Sequence, residues 1–469
     1  VSERSQGARI GRVADWTPAA VILIAGFAMF AGVSSLILDG QISTTPDVAY
    51  STTLLLLVTC SGLLLSVFDR RAALADMFFW VYFVFFMAWP GWIQAMTTRF
   101  PWGLRHGPDS TVKAVSVTIA FLICYATVSK GLRWREATPK KVKAATAKPA
   151  LVVGFLLGAL VVATACAALV GSNLFVSRVE VGKSLSDTSM SYPYFIGKGV
   201  ALAGLLVSLA TVRAGGRRSP VRVALIVGFG LLTALLFNPL GNPRFQTLGV
   251  IFCLLAFVLV RPSAIQKAIG ATALGASTLG LFAAFKQLGQ TGTIDLSSGN
   301  FLEAPFSIDF DSLQQMIAAI TYVKGFGFSW GQNLLSAIFF FIPRQIWPGK
   351  AEPTGIVVAT NLNYYYTNLS SPLPAEGYIA LSWVGCLALA AFTAWLITRL
   401  ERGAARTRSG ANVDRCLYAV ISGYTVILLR GSLGSVLPQF GVVFLTLLLA
   451  QWLGVFGRKV GGSNKGPAA

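Results

Sequence analysis

Apolar residues along this chain gather in twelve runs, at approximately 17–38, 49–67, 77–96, 112–129, 150–171, 195–212, 223–238, 247–260, 268–285, 375–398, 416–430 and 437–456. Most are long enough, or nearly so, to cross a hydrocarbon core that takes about 20 helical residues. Several of the later ones are short. The pattern predicts an all-α polytopic membrane protein with about twelve transmembrane helices. It divides the chain into residues 1–285, with nine crossings and short loops, residues 286–374, a long loop with short helices, and residues 375–469, with three crossings and a tail.

Composition agrees with that pattern. Over 469 residues the chain is 55% hydrophobic and 12% charged, with a mean hydropathy of +0.67, outside the range of soluble domains. The net charge of +20 invites a nucleic-acid reading, but its distribution answers that. With the N-terminus placed in the cytoplasm, the cytoplasmic segments hold about two-thirds of the basic residues and well under half of the acidic ones. This is the positive-inside bias. It predicts that both termini are cytoplasmic and leaves no charge that requires nucleic acid. The segment Lys130 to Lys148 and arginines 213, 217, 218 and 222 read as topology determinants that touch anionic headgroups.

All six cysteines fall in or at the ends of apolar runs, so neither a disulfide framework nor a CxxC metal pair is expected. The first run follows Arg4, Arg9 and Arg12 and reads as a retained helix. His106, the single histidine, lies in a Gly/Pro-rich loop and reads as a surface residue. Gly154 and Gly158 have the small-xxx-small spacing of close helix packing.

Candidate chemistry concentrates in and around the long loop. After a short apolar stretch, Leu334 to Ile342, whose length suits an interfacial helix, comes Ile342-Pro343-Arg344-Gln345-Ile346-Trp347-Pro348-Gly349-Lys350. Ser371-Pro372-Leu373-Pro374-Ala375-Glu376 then brings one carboxylate to the start of a crossing. Arg244 follows the tight turn Asn238-Pro239-Leu240-Gly241-Asn242-Pro243, and Arg430 ends an apolar run just before Gly431. An arginine at such a depth is costly unless it faces protein, water or an anion. Tyr364, Tyr365, Tyr366 and Trp347 offer rings for sugar stacking or for interface anchoring. Asp311-Ser312-Leu313-Gln314 fits a capping box, while Glu303 and Asp309 have no evident partner.

These residues resemble a known family, the bacterial oligosaccharide repeat unit polymerases, also called Wzy or O-antigen polymerases. The likeness rests on Pro343-Arg344, Trp347-Pro348 and Lys350 after the short aromatic helix, with Glu376 at the start of the next crossing. Arg244, Arg430 and the spacing of Arg344 from Gly355 support it. It covers the C-terminal half and extends to the first half only through topology. The resemblance implies a GT-C-type glycosyltransferase of the bacterial cytoplasmic membrane, with its site facing outward. Its donor and acceptor would be undecaprenyl-diphosphate-linked oligosaccharides, polymerised into O-antigen, capsule or exopolysaccharide, with a flippase and a chain-length regulator as partners.

Such a reaction needs cations for the diphosphate leaving group and a base for the acceptor hydroxyl. Arg244, Arg344 and Arg430, with Lys350 as an auxiliary point charge, are the expected diphosphate ligands. Glu376 is the expected base and Glu352 the reserve, with Glu376 as a first-turn, dipole-stabilising carboxylate as the structural alternative. Cations placed this way need no metal and no cofactor. An O-antigen-ligase-like glycosyltransferase shares donor and architecture, and a transporter of lipid-linked oligosaccharide is the rival from another class.

Overall fold

A computed structural model describes residues 16–103, 107–135, 148–175, 188–213, 219–239, 241–279, 301–406 and 412–456. His106, Arg217, Arg218, much of the segment Lys130 to Lys148, and residues 286–300 of the long loop lie outside them. The protein is 80% helix with no strands among the described residues. Among the described residues, eight helices are long and apolar enough to cross a membrane: Trp16–Leu38 (α1), Pro46–Phe68 (α2), Leu74–Thr97 (α3), Pro108–Trp134 (α4), Pro149–Leu174 (α5), Tyr192–Arg213 (α6), Leu373–Ala405 and Leu433–Trp452. Between α6 and the long loop come Pro220–Leu236 (α7), Arg244–Val258 (α8) and Ala264–Leu279 (α9).

Four of the twelve predicted crossings therefore do not combine that length with that apolarity among the described residues. The helices α7 and α8 are apolar but have 17 and 15 residues, and α9 has 16. The fourth, Val413–Arg430, carries Asp414, Arg415 and Arg430 in its 18 residues. The loop contributes Ser312–Phe326 (α10), Gln332–Ile338 (α11) and Thr354–Asn361 (α12). The chain then ends in Leu373–Arg406 (α13), Val413–Arg430 (α14) and Leu433–Trp452 (α15).

The centre of the bundle is α3, apolar on every side and wholly buried, as a helix surrounded by protein must be. Its middle, Phe83–Ala88, widens into a π-helical turn. Pro90 follows at once and has no amide hydrogen to return to the preceding turn, so the ladder is already broken where it widens. Phe79 stacks on Tyr125 of α4, and Phe86 on Phe310 of the loop.

Close helix approach occurs elsewhere than Gly154 and Gly158, both of which face open space. Gly423 of α14 abuts the Gly249 carbonyl of α8, where a Cβ would come within 2.3 Å. Spacing alone shows that two glycines share a face and not that a neighbour covers it.

The tenth predicted crossing is also broken. Leu381 and Ser382 leave helical geometry, with Ser382 at φ 54° in the left-handed region. The first two turns of α13 double back, so that a Cβ on Gly385 would strike the Gly377 carbonyl at 2.3 Å. Glu376 thus sits on a short folded-back helix and not on the first turn of a continuous span.

Candidate functional site

The loop ends of α3, α8, α13, α14 and α15 meet the loop residues 301–374. Their meeting point is built on two short 3-10 turns, Phe301–Phe306 and Ile308–Phe310. Gln94 of α3 holds both turns, its Nε2 donating to the Pro305 carbonyl at 2.6 Å and the Phe310 carbonyl at 2.9 Å.

Two arginines from distant parts of the chain converge there. Arg244, the first residue of α8, donates to Asp309 Oδ2 at 2.5 Å, with both side chains largely buried. Arg430, the last residue of α14, donates from Nε to the Asp309 carbonyl at 3.1 Å and from Nη2 to the Ile308 carbonyl at 3.2 Å. Its Nη2 also lies 3.4 Å from Asp311 Oδ1, and its guanidinium stands 5.0 Å over the Phe245 ring. Arginine's planar fork suits this simultaneous engagement of backbone and carboxylate.

Asp311 is not the capping residue that the sequence suggests. It stands at the N-cap of α10, but its side chain makes no capping bond. It accepts instead from Trp102 Nε1 at 2.9 Å and Ser370 Oγ at 2.6 Å. Burial pushes its carboxyl above the ordinary carboxylate range, opposed by Arg430 and by these two donors. Of the carboxylates for which the sequence offers no partner, Asp309 pairs with Arg244 and Glu303 with Arg99.

Glu376 is fully buried and held by three donors. Thr354 Oγ1 donates at 2.6 Å and Asn333 Nδ2 at 3.0 Å to Oε2, while the Leu433 amide donates at 3.0 Å to Oε1. That amide opens α15, so the carboxylate also meets the positive end of a helix dipole. One side chain therefore ties α11, α12 and α15 to α13. The link to the arginines is short: Ser371 N donates to the Arg430 carbonyl at 3.1 Å, and Arg430 and Leu433 flank Gly431 and Ser432.

The residues of the Pro343–Lys350 stretch form a separate group. Arg344 is half exposed, bonds the Lys350 carbonyl at 2.9 Å and lies 3.9 Å from Glu352 Oε1. No contact joins it to Glu376, Arg244 or Arg430 among the described residues. Lys350 is a helix-terminal cap more than a point charge: its Nζ donates to the Phe339, Phe340 and Ile342 carbonyls at 3.1, 2.8 and 3.0 Å. Burial, with Arg344 nearby, lowers its pKa.

The aromatic candidates divide by exposure. Tyr364 is buried, whereas Tyr365 is 82% and Tyr366 45% exposed. Tyr366 stacks on Trp102 with centroids 5.8 Å apart, and Tyr365 lies tilted 5.6 Å from the same ring. Trp347 is partly exposed beside Arg344. Trp102, which carries this stack and braces Asp311, is not among the site candidates drawn from the sequence.

Lys198 is a second omission. Buried in α6, it donates to Asn242 Oδ1 and, at 2.7 Å, to Gln246 Oε1. Asn242 also accepts from Tyr194 and donates to the Leu236 carbonyl, which fixes the turn that aims Arg244. An ionisable residue inside an apolar run was the available clue.

At the opposite end of the bundle lies a buried ionic network that sequence reading reduced to topology charges. Arg133 of α4 meets Asp76 at 2.9 Å and Glu401 at 3.1 Å. Tyr125 donates to Asp76 at 2.8 Å, and Tyr418 accepts from the Leu74 amide at 3.0 Å. Lys267 donates to the Ser66, Asp69 and Ala72 carbonyls.

No cluster of three metal-ligating side chains occurs among the described residues. Compared with protein-family models, characterised proteins and solved structures, the chain matches none. Fold and site together define a membrane-embedded, all-helical protein in which a structured loop gathers arginines and carboxylates at one end of the bundle.

Proposed function

We propose that this protein polymerises undecaprenyl-diphosphate-linked repeat units on the outer face of the bacterial cytoplasmic membrane, with both termini inside and about twelve helices crossing. The observation that carries the reading is the convergence of Arg244 and Arg430 on Asp309, from helices far apart in sequence. The donor diphosphate exchanges places with carboxylate oxygens on these guanidinium groups, which bind phosphate with the same forked geometry. Charge developing on the leaving diphosphate then meets cations already held in position. Arg344, half exposed, supplies a further cation from the neighbouring group, and Tyr365 and Tyr366 present faces to the sugar.

The acceptor O–H bond breaks as its oxygen attacks the donor anomeric carbon, and the bond from that carbon to diphosphate breaks on the opposite face. The proton passes to a carboxylate. Glu376 is sealed by three protein donors and takes that proton only after Thr354 or Asn333 moves. Glu352 is exposed beside Arg344 and needs no such opening, so it takes the role of base while Glu376 holds the segments that position it.

Purified protein given a synthetic lipid-linked repeat unit is expected to yield a ladder of products. Arg430→Ala is expected to abolish the ladder while the protein remains monodisperse. Addition of a single block to an unrelated acceptor would assign a ligase, and flux across vesicles without bond formation a transporter.

A further inference from the structure

At the end of the bundle opposite the loop, α2 and α4 diverge around two adjoining cavities. One, of about 660 Å³, is lined by Arg71, Lys130, Arg133, Trp134, Phe68 and Asp69. The other, of about 300 Å³, runs deeper between the same helices past Leu57, Trp80, Leu122 and Ile123. Leu65, Asp69, Lys130 and Arg133 line both, so the two are one continuous space with a charged mouth and an apolar slot. Gly62 creates the slot's floor, since a Cβ there would lie 2.2 Å from the Trp80 ring.

The charges at the mouth are unequally occupied. Arg133 is neutralised by Asp76 and Glu401, although its buried Nε has no hydrogen-bond partner among the described residues. Arg71 anchors its backbone amide to Asp69 Oδ1 and one Nη1 to the Arg133 carbonyl, leaving the rest of its guanidinium at the exposed rim. Lys130 is exposed and makes no hydrogen bond or ion pair among the described residues. Among the described residues Asp69 is the only acid lining the outer cavity, and its Oδ2 lies 3.8 Å from Arg133 Nη1. Trp134, 82% exposed, stands at the rim, where indole rings favour the headgroup layer.

We propose that this space is a binding site for an anionic phospholipid, with the phosphate at Arg71 and Lys130 and one acyl chain in the slot between α2 and α4. A soluble anion would use the mouth and leave the slot empty, and a zwitterionic lipid would fill the slot without matching the mouth. The apolar extension and the surplus of cations together select a lipid that has both features. Each basic residue near a membrane surface contributes about 1 kcal/mol to binding such headgroups, so loss of both free cations corresponds to roughly thirtyfold in affinity.

The test is native mass spectrometry of the full-length protein in detergent, titrated separately with phosphatidylglycerol, phosphatidylcholine and inorganic phosphate. One phosphatidylglycerol is expected to bind well ahead of phosphatidylcholine, and phosphate is expected not to displace it. The double variant R71E/K130E is expected to weaken phosphatidylglycerol about thirtyfold or more while leaving phosphatidylcholine unchanged. Leu65→Trp, at an exposed position lining both cavities, is expected to weaken it with the cations intact. Equal binding of the two lipids, displacement by phosphate, or indifference to either variant would overturn the proposal. Both variants alter exposed side chains, and a monodisperse elution profile checks that each is folded.

Discussion

The two ends of this bundle solve the problem of holding ions in a membrane protein differently. Around Arg133 one guanidinium serves two carboxylates, Asp76 and Glu401, and all three side chains are buried among regular helices. Around Asp309 and Asp311 the arginines stand at helix termini, and their partners lie on or just after two short 3-10 turns. The first network joins α3, α4 and α13, and its guanidinium charge is matched by carboxylates within the bundle. The second is assembled on irregular backbone. Ions buried among regular helices are fixed by the packing of those helices, whereas ions at helix ends depend on the loop that carries their partners.

The sharpest way to break this contrast is to remove one member from each end. Arg133→Met leaves two buried carboxylates without their cation, at a cost of about 3–5 kcal/mol. The variant is expected to fail to accumulate as a monodisperse species in size-exclusion chromatography, and normal yield would contradict a structural role. Arg430→Ala is expected to leave yield within twofold of the parent and to lower chain elongation by about 10²–10³, the range for loss of one preorganised charge stabiliser.

The carboxylates sharpen the contrast within the loop end. Glu352→Gln is expected to reduce elongation by at least about 10², the lower range for loss of a general base. Glu376→Gln keeps an oxygen acceptor and is expected to stay within about tenfold, chiefly through lower thermal stability. If the two effects are reversed in a product-ladder assay, Glu376 is the base and its three donors open during turnover. Smaller again, Lys350→Met removes the donor that holds the aromatic turn after α11 and is expected to cost about 1 kcal/mol locally, read as faster proteolysis of the 339–350 segment. Smallest is Tyr365→Ala, which is expected to raise the acceptor KM a few-fold with kcat unchanged, because its ring is largely exposed and meets Trp102 only at a tilt.

The membrane-embedded helical fold was legible because hydrocarbon imposes length and composition directly on sequence. That Arg430 and Arg244 would need partners was legible for a related reason, since each stands where an apolar run starts or ends. Their partners were not. Asp309 and Asp311 lie in a polar loop where a carboxylate is unremarked, and a local rule made Asp311 a helix cap although Trp102 and Ser370 claim its oxygens. The carbonyl partners of Lys350 were not legible either, because only the fold of residues 339–342 after α11 turns them toward it.

What the sequence determined by itself was the solvent: apolar runs of this length cannot be hidden in a water-soluble globule, and helical geometry alone satisfies their backbone without water. What only the tertiary structure decided was which charges meet. Pairing between Arg244 and Asp309, or Arg133 and Glu401, depends on how helices far apart in the chain pack, and the fold-back at Ser382 depends on glycine contacts that form only once Gly377 and Gly385 touch. Transfer from water acts on each segment separately, so a sequence records it residue by residue, whereas an ion pair forms only when two segments have been brought to one place.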